Sequence, residues 1–544
     1  MVELEFQQKT KELIDSLKAI CAEYGLGNDG NEFKIITQVF LYKFLHDKFA
    51  YEVKKVDKKA AAKKWETVLN SYSTSAYKKL QMRLGDTDTA LLKPQHFISY
   101  LSKHQNDEQF ARLFDDTLRD IAATNNDVFA VTTDSGEKIQ LFDRVSEFVT
   151  DVSKRDFFCR AIINKLGEFS FEHIFNQKFD FYATIFEYLI KDYNSNSGGK
   201  YAEYYTPHAV ARIMAAILIP QKQRGKVKDV SVYDPSAGSG TLLMNVAHAI
   251  GENRCSIYTQ DISQKSSNLL RLNLVLNNLV HSIPNVVQGN TLLEPAHKDG
   301  KQLMQFDYIV SNPPFKMDFS DTRDQLDADK HKTRFFAGVP KIPAKAVDKM
   351  AVYQLFLQHI INSLKPGGKA AVVVPTGFIT AQSGIDKKIR QHLVDNKMLA
   401  GVVSMPSNIF ATTGTNVSIL FMDASNKGKV VLIDASNLGE KVKEGKNQKT
   451  VLTPCEEKQI SDVFNGKKQQ DDFSVSVSYE DIAEKNYSLS AGQHFEMEIE
   501  YVEITSEQFS TKMKGFIDNL ENLFSQSQDL EIDIKKQLAG LTYE

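Results

Sequence analysis

Short apolar runs recur through the middle of the chain with helix-length segments between them: VSVYDPS, CSIYTQD, FDYIVSNPP, KAAVVVPTGF, LAGVVSMP and SILFMDAS. Few folds accommodate that alternation. It predicts a mostly parallel sheet with helices on both faces. We place this α/β domain at about residues 195–430. Val230-Ser231-Val232-Tyr233 reads as a strand, Asp234-Pro235-Ser236-Ala237-Gly238-Ser239-Gly240 as a tight turn, and Thr241–Ala247 as the start of a helix. A strand, a glycine turn and a helix form the ligand-binding corner of open α/β sheets. Gly238 and Gly240 lack a Cβ, so a ligand can lie close to the backbone there, and the helix N-terminus offers N–H groups to an anion. The third glycine of the dinucleotide fingerprint is replaced by Leu243, and no G-x-x-x-x-G-K-[ST] occurs. Both absences point away from NAD and from an obvious ATPase.

The next strand, Ser256–Thr259, ends at Gln260-Asp261. A carboxylate about 20 residues beyond a glycine turn can hold ribose hydroxyls. The competing reading for Asp261 is a helix N-cap ahead of SQKSSNLLRLNLVL, and the two roles are compatible. A third strand end, Val286–Thr291, carries Asn290, whose amide can read the edge of an adenine ring.

Phe306–Val310 is a strand, and Ser311-Asn312-Pro313-Pro314-Phe315 leaves its carboxyl end. Taken alone, N-P-P-F is a turn. After a glycine corner and an acidic strand end it gains a chemical reading. An exocyclic adenine amino group is a poor nucleophile, because its lone pair is delocalised into the ring. The Asn312 side-chain oxygen can accept one amino hydrogen and the Pro313 carbonyl the other. Two fixed acceptors draw the nitrogen towards tetrahedral geometry and aim its lone pair at an electrophile, which is catalysis by positioning and preorganised dipoles. The prolines fix φ, and Phe315 offers a face on which an extruded base can stack.

Residues 1–190 read as mostly helical, with Phe33, Ile36, Val39, Phe40, Tyr42, Phe44 and Leu45 forming a buried stripe. The lysines Lys54, Lys55, Lys58, Lys59, Lys63 and Lys64 read as a solvated face, with a phosphate-contacting patch as the alternative. Asn194–Gly199 is a flexible connector. Residues 431–500 form a mixed extension, and from Phe509 a helix with Met513, Phe516, Leu520 and Leu523 in heptad spacing covers much of 501–544. That seam must pack on its own domain or on a partner. Segment 316–350 is expected to be a long polar loop beside the tetrad that closes over DNA and is disordered without it. A net charge of −3 suggests that nucleic-acid contact is local or shared with a partner. Cys21, Cys159, Cys255 and Cys455 lack metal spacing, so no metal site is expected and a reduced, cytoplasmic setting fits. No signal peptide and no membrane-spanning run are expected.

The segments AEYYTPHAVARIM, DPSAGSG and NPPF, in this order, resemble the motifs of amino-group DNA methyltransferases. Together with FKIITQVFLYKFLHDKF, FYATIFEYLIKDY, RFFAGVP, AVVVPTGF and PSNIFATTGTNVSILFM, the chain is similar to the modification subunits of type I restriction–modification systems over nearly its whole length. The resemblance implies a Rossmann-like S-adenosylmethionine-dependent methyltransferase domain preceded by an all-α N-terminal domain, with a C-terminal helix. It implies S-adenosylmethionine as donor, N6-methyladenine in DNA as product, a specificity subunit, a restriction subunit, and two methylase subunits per specificity subunit. Tyr205, Thr206 and Pro207 match the segment that folds over the cofactor. Asp234, Ala237, Gly238 and Gly240 match its amino-acid-end pocket, Asp261 the ribose carboxylate, Asn290 the adenine contact, and Asn312 to Phe315 the catalytic tetrad. Phe410 matches a second base-stacking aromatic or a core residue. Relatives usually carry glutamate where Asp261 stands and aspartate where Asn290 stands. The first difference shortens the reach and the second changes the hydrogen-bond sense. The alternative activities are a stand-alone adenine-N6 or cytosine-N4 DNA methyltransferase.

Overall fold

A computed structural model describes residues 2–27, 30–85, 89–172, 175, 206–410, 416–444, 447–495 and 505–539. The connector Asn194–Gly199 lies outside them. Met1–Phe495 forms one compact unit and Glu496–Glu544 a second.

The first unit is organised on an 11-stranded sheet. Its strands, numbered in chain order, are β1 (Val131–Thr133), β2 (Lys138–Ile139), β3 (Val230–Asp234), β4 (Cys255–Asp261), β5 (Val286–Gln288), β6 (Phe306–Ser311), β7 (Leu364–Pro375), β8 (Leu399–Ser404), β9 (Val417–Asp423), β10 (Val430–Asp434) and β11 (Ser474–Val477). Their spatial order is β11-β10-β8-β9-β7-β6-β3-β4-β5-β1-β2. Strands β5, β4, β3, β6 and β7 are mutually parallel, and β9 inserts antiparallel between β7 and β8. Order reverses between β3 and β6, which makes the crevice beyond their carboxyl ends the expected ligand position.

The strand sequences explain the layering. In β7 the run Ala370–Val374 is apolar at every position and fully buried, as a central parallel strand covered on both faces must be. Ala371 and Val373 pack into one apolar cluster with Val232, Ile257 and Val310. Ala370, Val372 and Val374 pack into another with Tyr233, Ile309 and Leu357. The alternation of side chains across the pleat separates the two.

The N-terminal helical region is seen chiefly in helix Gly30–Val56, whose residues Phe33, Ile36, Val39, Phe40, Tyr42, Phe44 and Leu45 are all buried. Asp57 stops that helix and starts the next by accepting hydrogen bonds from the Lys59 and Ala60 amides. The six lysines bordering this turn are outward or partly outward, and Lys54 is ion-paired with Glu172. One difference from the all-helical expectation matters for function. Residues 131–139 form the hairpin β1–β2, and β1 joins the outer edge of β5 in parallel, with Thr133 opposite Gln288. Arg271, buried on helix Gln264–Leu276, donates to the carbonyls of Ile139 and Gln140 at 3.1 Å each and locks the hairpin in place. The hairpin is short and polar, so no periodicity betrays it in the sequence.

Residues 431–500, mixed in sequence, supply the rest of β10, all of β11 and the capping-box helix Pro454–Gly466, which the Arg212–Glu457 ion pair ties to helix His208–Leu218. Segment 316–350 differs from the expected polar loop. It closes around its own apolar cluster, in which Phe319, Leu326, Phe335, Val339 and Met350 pack with Leu355 and Phe356 of helix Tyr353–Asn362. Gln358 fixes the RFFAGVP stretch by accepting from the Ala337 amide at 2.7 Å and donating to the Gly338 carbonyl at 3.1 Å. The apolar residues are spaced too irregularly to signal a helix or a strand, which is why composition alone suggests a loop.

The second unit contains helix Ser506–Ala539, described by itself. All of its described residues are exposed, including Phe509, Met513, Phe516, Leu520, Leu523, Leu530 and Ile534.

Candidate active site

The carboxyl ends of β3, β4, β5 and β6 bring together the residues singled out in the sequence. The turn after β3 carries Gly238 and Gly240, both at positive φ (+54° and +87°), which a residue with a Cβ adopts only with strain. A Cβ on Gly240 would also collide with Leu270. That glycine therefore shapes the turn and lets helix Gln264–Leu276 approach, and its open side is filled by protein. The helix that follows starts at Thr241 with no side-chain cap.

Asp234 ends β3 and is 1% exposed. Its carboxylate accepts from the Ser236 amide at 2.9 Å. Ser236 Oγ and Ser311 Oγ are 2.8 Å apart, so the glycine turn is tied to the last residue of β6, one position before Asn312. Burial pushes the Asp234 carboxyl up to about 7. The hydrogen bonds from Ser236 and Ser311 oppose that shift, and the charge of Asp261 adds to it.

Asp261 ends β4. Its Oδ2 accepts from the Gly238 amide at 2.9 Å and its Oδ1 from the Ser263 amide at 2.8 Å. Burial raises its pKa, against those two hydrogen bonds. The N-cap of the following helix is Ser263, which accepts from the Ser266 amide, so Asp261 itself clamps the glycine turn. A carboxylate has about four lone-pair sites, and two are used here. Ile262, next to it, is 60% exposed. An apolar side chain left bare beside a strand-end carboxylate can offer its face to a planar ring. Sequence reasoning missed it; the signal available was an apolar residue directly after the strand-end acid.

Asn290 follows β5. Its Oδ1 accepts from the Leu292 amide at 3.0 Å and the Leu293 amide at 3.2 Å. Thr291 Oγ1 donates to the Pro235 carbonyl at 2.7 Å, joining this loop to the glycine turn. Arg334, 7% exposed, reaches in from segment 316–350 and donates to the carbonyls of Thr291 and Leu292. The sequence gives no sign of that link beyond an arginine at the head of the apolar stretch FFAGVP.

At the end of β6, Pro313 is buried, Asn312 and Phe315 are half-buried, and Pro314 is exposed. Asn312 Nδ2 donates to Thr206 Oγ1 at 3.2 Å. The tetrad and the segment before helix His208–Leu218 thus meet, and Ala237, Thr206 and Pro207 are all buried around the corner. Tyr205 lies outside the described residues. Phe315 packs edge-to-face on Tyr353 with ring centroids 6.3 Å apart. Tyr353 is held by its hydroxyl, which donates to Asp386 at 2.8 Å. Phe410 is half-buried against the core, away from the tetrad in sequence but packed on the same side of the molecule as the first apolar cluster. Among the described residues no group of three or more His, Cys, Asp or Glu side chains is arranged to hold a metal ion.

The arrangement is therefore a Rossmann-like methyltransferase fold with an amide-and-proline corner at its switch point. A family model for N-6 DNA methylases matches residues 177–501, more than half of the chain. The chain belongs to the N-6 DNA methylase family. The type I restriction enzyme MpnII methylase subunit of Mycoplasma pneumoniae is 28% identical over 384 residues, covering 69% of this chain and 68% of that one. The HindI methylase subunit of Haemophilus influenzae is 25% identical over 378 residues, covering 67% and 79%. In the fold comparison, a type I restriction–modification methyltransferase subunit from Streptococcus thermophilus superposes with a TM-score of 0.68 at 20% identity, over 89% of this chain and 99% of that chain.

Proposed function

We propose that this N-6 DNA methylase transfers a methyl group from S-adenosylmethionine to the N6 amino group of adenine in DNA, acting as the modification subunit of a type I complex. The observation that carries the reading is the Asn312 corner at the β3/β6 switch point, facing the clamped glycine turn.

The residues present fit the donor. Asp234 is a buried carboxyl group for the α-ammonium of the amino-acid end, Asp261 has lone pairs left for ribose hydroxyls, and Ile262 offers its bare face to the adenine ring. Bound there, S-adenosylmethionine would supply a sulfonium methyl: the methyl C–S bond would break with its electron pair left on sulfur, a C–N bond would form at N6, and the N6 proton would leave to solvent water. The rest falls to the chain. Thr206 engages the amide nitrogen of Asn312, which leaves the amide oxygen to accept one amino hydrogen. Pro313, fixed in φ, holds its carbonyl for the other. Phe315, braced by Tyr353, supplies the stacking face for the extruded base, with Phe410 as a second candidate.

The proposed division of labour gives 1–190 to a helical N-terminal region, 195–430 to catalysis, 431–500 to an extension of the sheet, and 501–544 to partner contact. The exposed heptad seam supports a partner contact there; a specificity subunit is the proposed partner, with two methylase subunits per specificity subunit and a restriction subunit in the larger assembly. The cytoplasm is the proposed compartment. The test is methylation by the chain with its specificity subunit, using labelled donor, followed by digestion and mass analysis of the DNA. N6-methyladenine is the expected product. N4-methylcytosine alone, or sequence-specific methylation by the isolated chain, overturns the respective part of the reading.

A further inference from the structure

We infer that Asp134, in the N-terminal hairpin, completes the adenine end of the methyl-donor cleft by accepting the N6 amino hydrogens of the donor's own adenine. The inference rests on the S-adenosylmethionine reading above.

Strand β1 runs parallel to β5, so Asp134, the residue after β1, leaves the sheet at the same carboxyl edge as Asp234, Asp261, Asn290 and Asn312. Ligands of open α/β sheets lie along that edge. The position is rigid. The Asp134 amide donates to the Gln288 carbonyl at 2.9 Å, and the turn behind it closes with Thr133 N to Glu137 O at 2.8 Å and Gly136 N to Thr133 O at 2.9 Å. Glu137 N also donates to Thr133 Oγ1 at 3.0 Å. Arg271 pins the far end of the hairpin.

The Asp134 carboxyl group lies directly over Gly289. A Cβ at 289 would stand 2.7 Å from Asp134 Oδ2 and 2.8 Å from Asp134 Cβ. Residue 289 must therefore be glycine for the carboxylate to take this place, one residue from Asn290. Asn290 cannot do the same job, because its oxygen already serves the Leu292 and Leu293 amides. What it can offer a ligand is its NH2, a donor. An adenine edge presents N6–H as donor and N1 as acceptor. Donor Asn290 opposite N1 and acceptor Asp134 opposite N6 match that pattern in polarity. Asp134 is solvent-exposed in the chain alone, and an ionised carboxylate only accepts.

The test uses the full chain, with S-adenosylhomocysteine and S-inosylhomocysteine as probes in titration calorimetry. The inosine analogue reverses the edge, with O6 as acceptor and N1–H as donor. A charge-assisted hydrogen bond at an open site sets the scale at about tenfold. Asp134→Ala is expected to lower the preference for the adenosine compound over the inosine compound by about that factor. Asp134→Asn, which can donate to O6, is expected to lower it further. An unchanged preference in both variants overturns the assignment, even if both affinities fall together. A wild-type chain that binds neither compound sinks the donor reading itself and this assignment with it; that result is distinct, since it does not involve the variants.

Discussion

Asn312 Nδ2 donates to Thr206 Oγ1 at 3.2 Å, and in the proposed reaction this contact sets which end of the amide faces the target base. An amide free to rotate would present its NH2 to the target amino group about as readily as its oxygen, and donor would meet donor. Thr206→Val removes the acceptor while keeping the shape. We expect kcat to fall by about twofold to tenfold, the worth of one orienting hydrogen bond between neutral groups of about 0.5–1.5 kcal/mol, with little change in cofactor affinity. Thr206→Ser should restore most of the rate. Asn312→Ala, which removes the acceptor itself, should cost at least about a hundredfold and leave cofactor binding nearly intact. A valine variant with wild-type kcat would refute the orienting role.

Asp234 gives a pH dependence with a definite sign. In the ligand-free chain its carboxyl is pushed up to about 7, chiefly by burial. A ligand that places its α-ammonium beside this group, and also carries a sulfonium, prefers the ionised form. Affinity for S-adenosylmethionine should therefore rise between pH 6 and 8 and level off above. Asp234→Asn should bind weakly and flatten the profile. An affinity that is flat over this range in the wild type contradicts the placement.

The same group makes a stability prediction. Unfolded, the carboxyl loses its proton near its ordinary value of 3.8; folded, it keeps it up to about 7. The native state binds more protons across that window, so stability falls as pH rises through it. Asp234→Asn should melt higher than the wild type at pH 8, with the gap narrowing towards pH 4. A variant that melts lower at pH 8 would show that the serine hydrogen bonds outweigh the burial.

Arg334 joins the segment after the tetrad to the Asn290 loop through the Thr291 and Leu292 carbonyls. Burial lowers its pKa to about 10, so it stays charged at neutral pH. Arg334→Met should destabilise the chain by about 2–4 kcal/mol, because two carbonyls lose a charged donor. It should also raise the KM for the cofactor more than it lowers kcat. Thermal melts and steady-state kinetics check both parts, and an unshifted melting temperature contradicts the first.

The C-terminal helix yields an assembly prediction. Phe516 and Leu520 lie on an apolar seam that is exposed along helix Ser506–Ala539. Replacing both with glutamate should leave cofactor binding and the melting of the 1–495 unit unchanged and abolish co-purification with the specificity subunit. Normal co-purification of that double variant would place the partner surface elsewhere.

The parts of the site that were legible in the sequence are those where chemistry restricts the residue type. Asn312, the prolines, Asp234 and Asp261 can be read because few other side chains accept, fix or ionise in the same way at a strand end. The alternation of β3, β4, β6 and β7 with helices is equally plain, because buried parallel strands are short and mostly apolar. The hairpin at 131–139 and the cluster within 316–350 were not, because both depend on contacts far away in the chain. Arg271 and Arg334 make those contacts, and an isolated arginine carries no periodic signal. Gly240 shows the converse: its residue type was read correctly as a constraint, but the neighbour enforcing it is Leu270 rather than a ligand.

The addition of β1 to the outer edge of β5 sets where the chain can be divided. A cut in the connector looks natural, since the catalytic motifs all follow it. Such a fragment would carry away a sheet whose Gln288 carbonyl and neighbouring strand edge have lost their partner, and bare edges recruit other chains. The N-terminal region is in this sense an edge guard for the Rossmann sheet. It cannot be exchanged between relatives as an independent module unless the two residues of β1 that pair with β5 go with it.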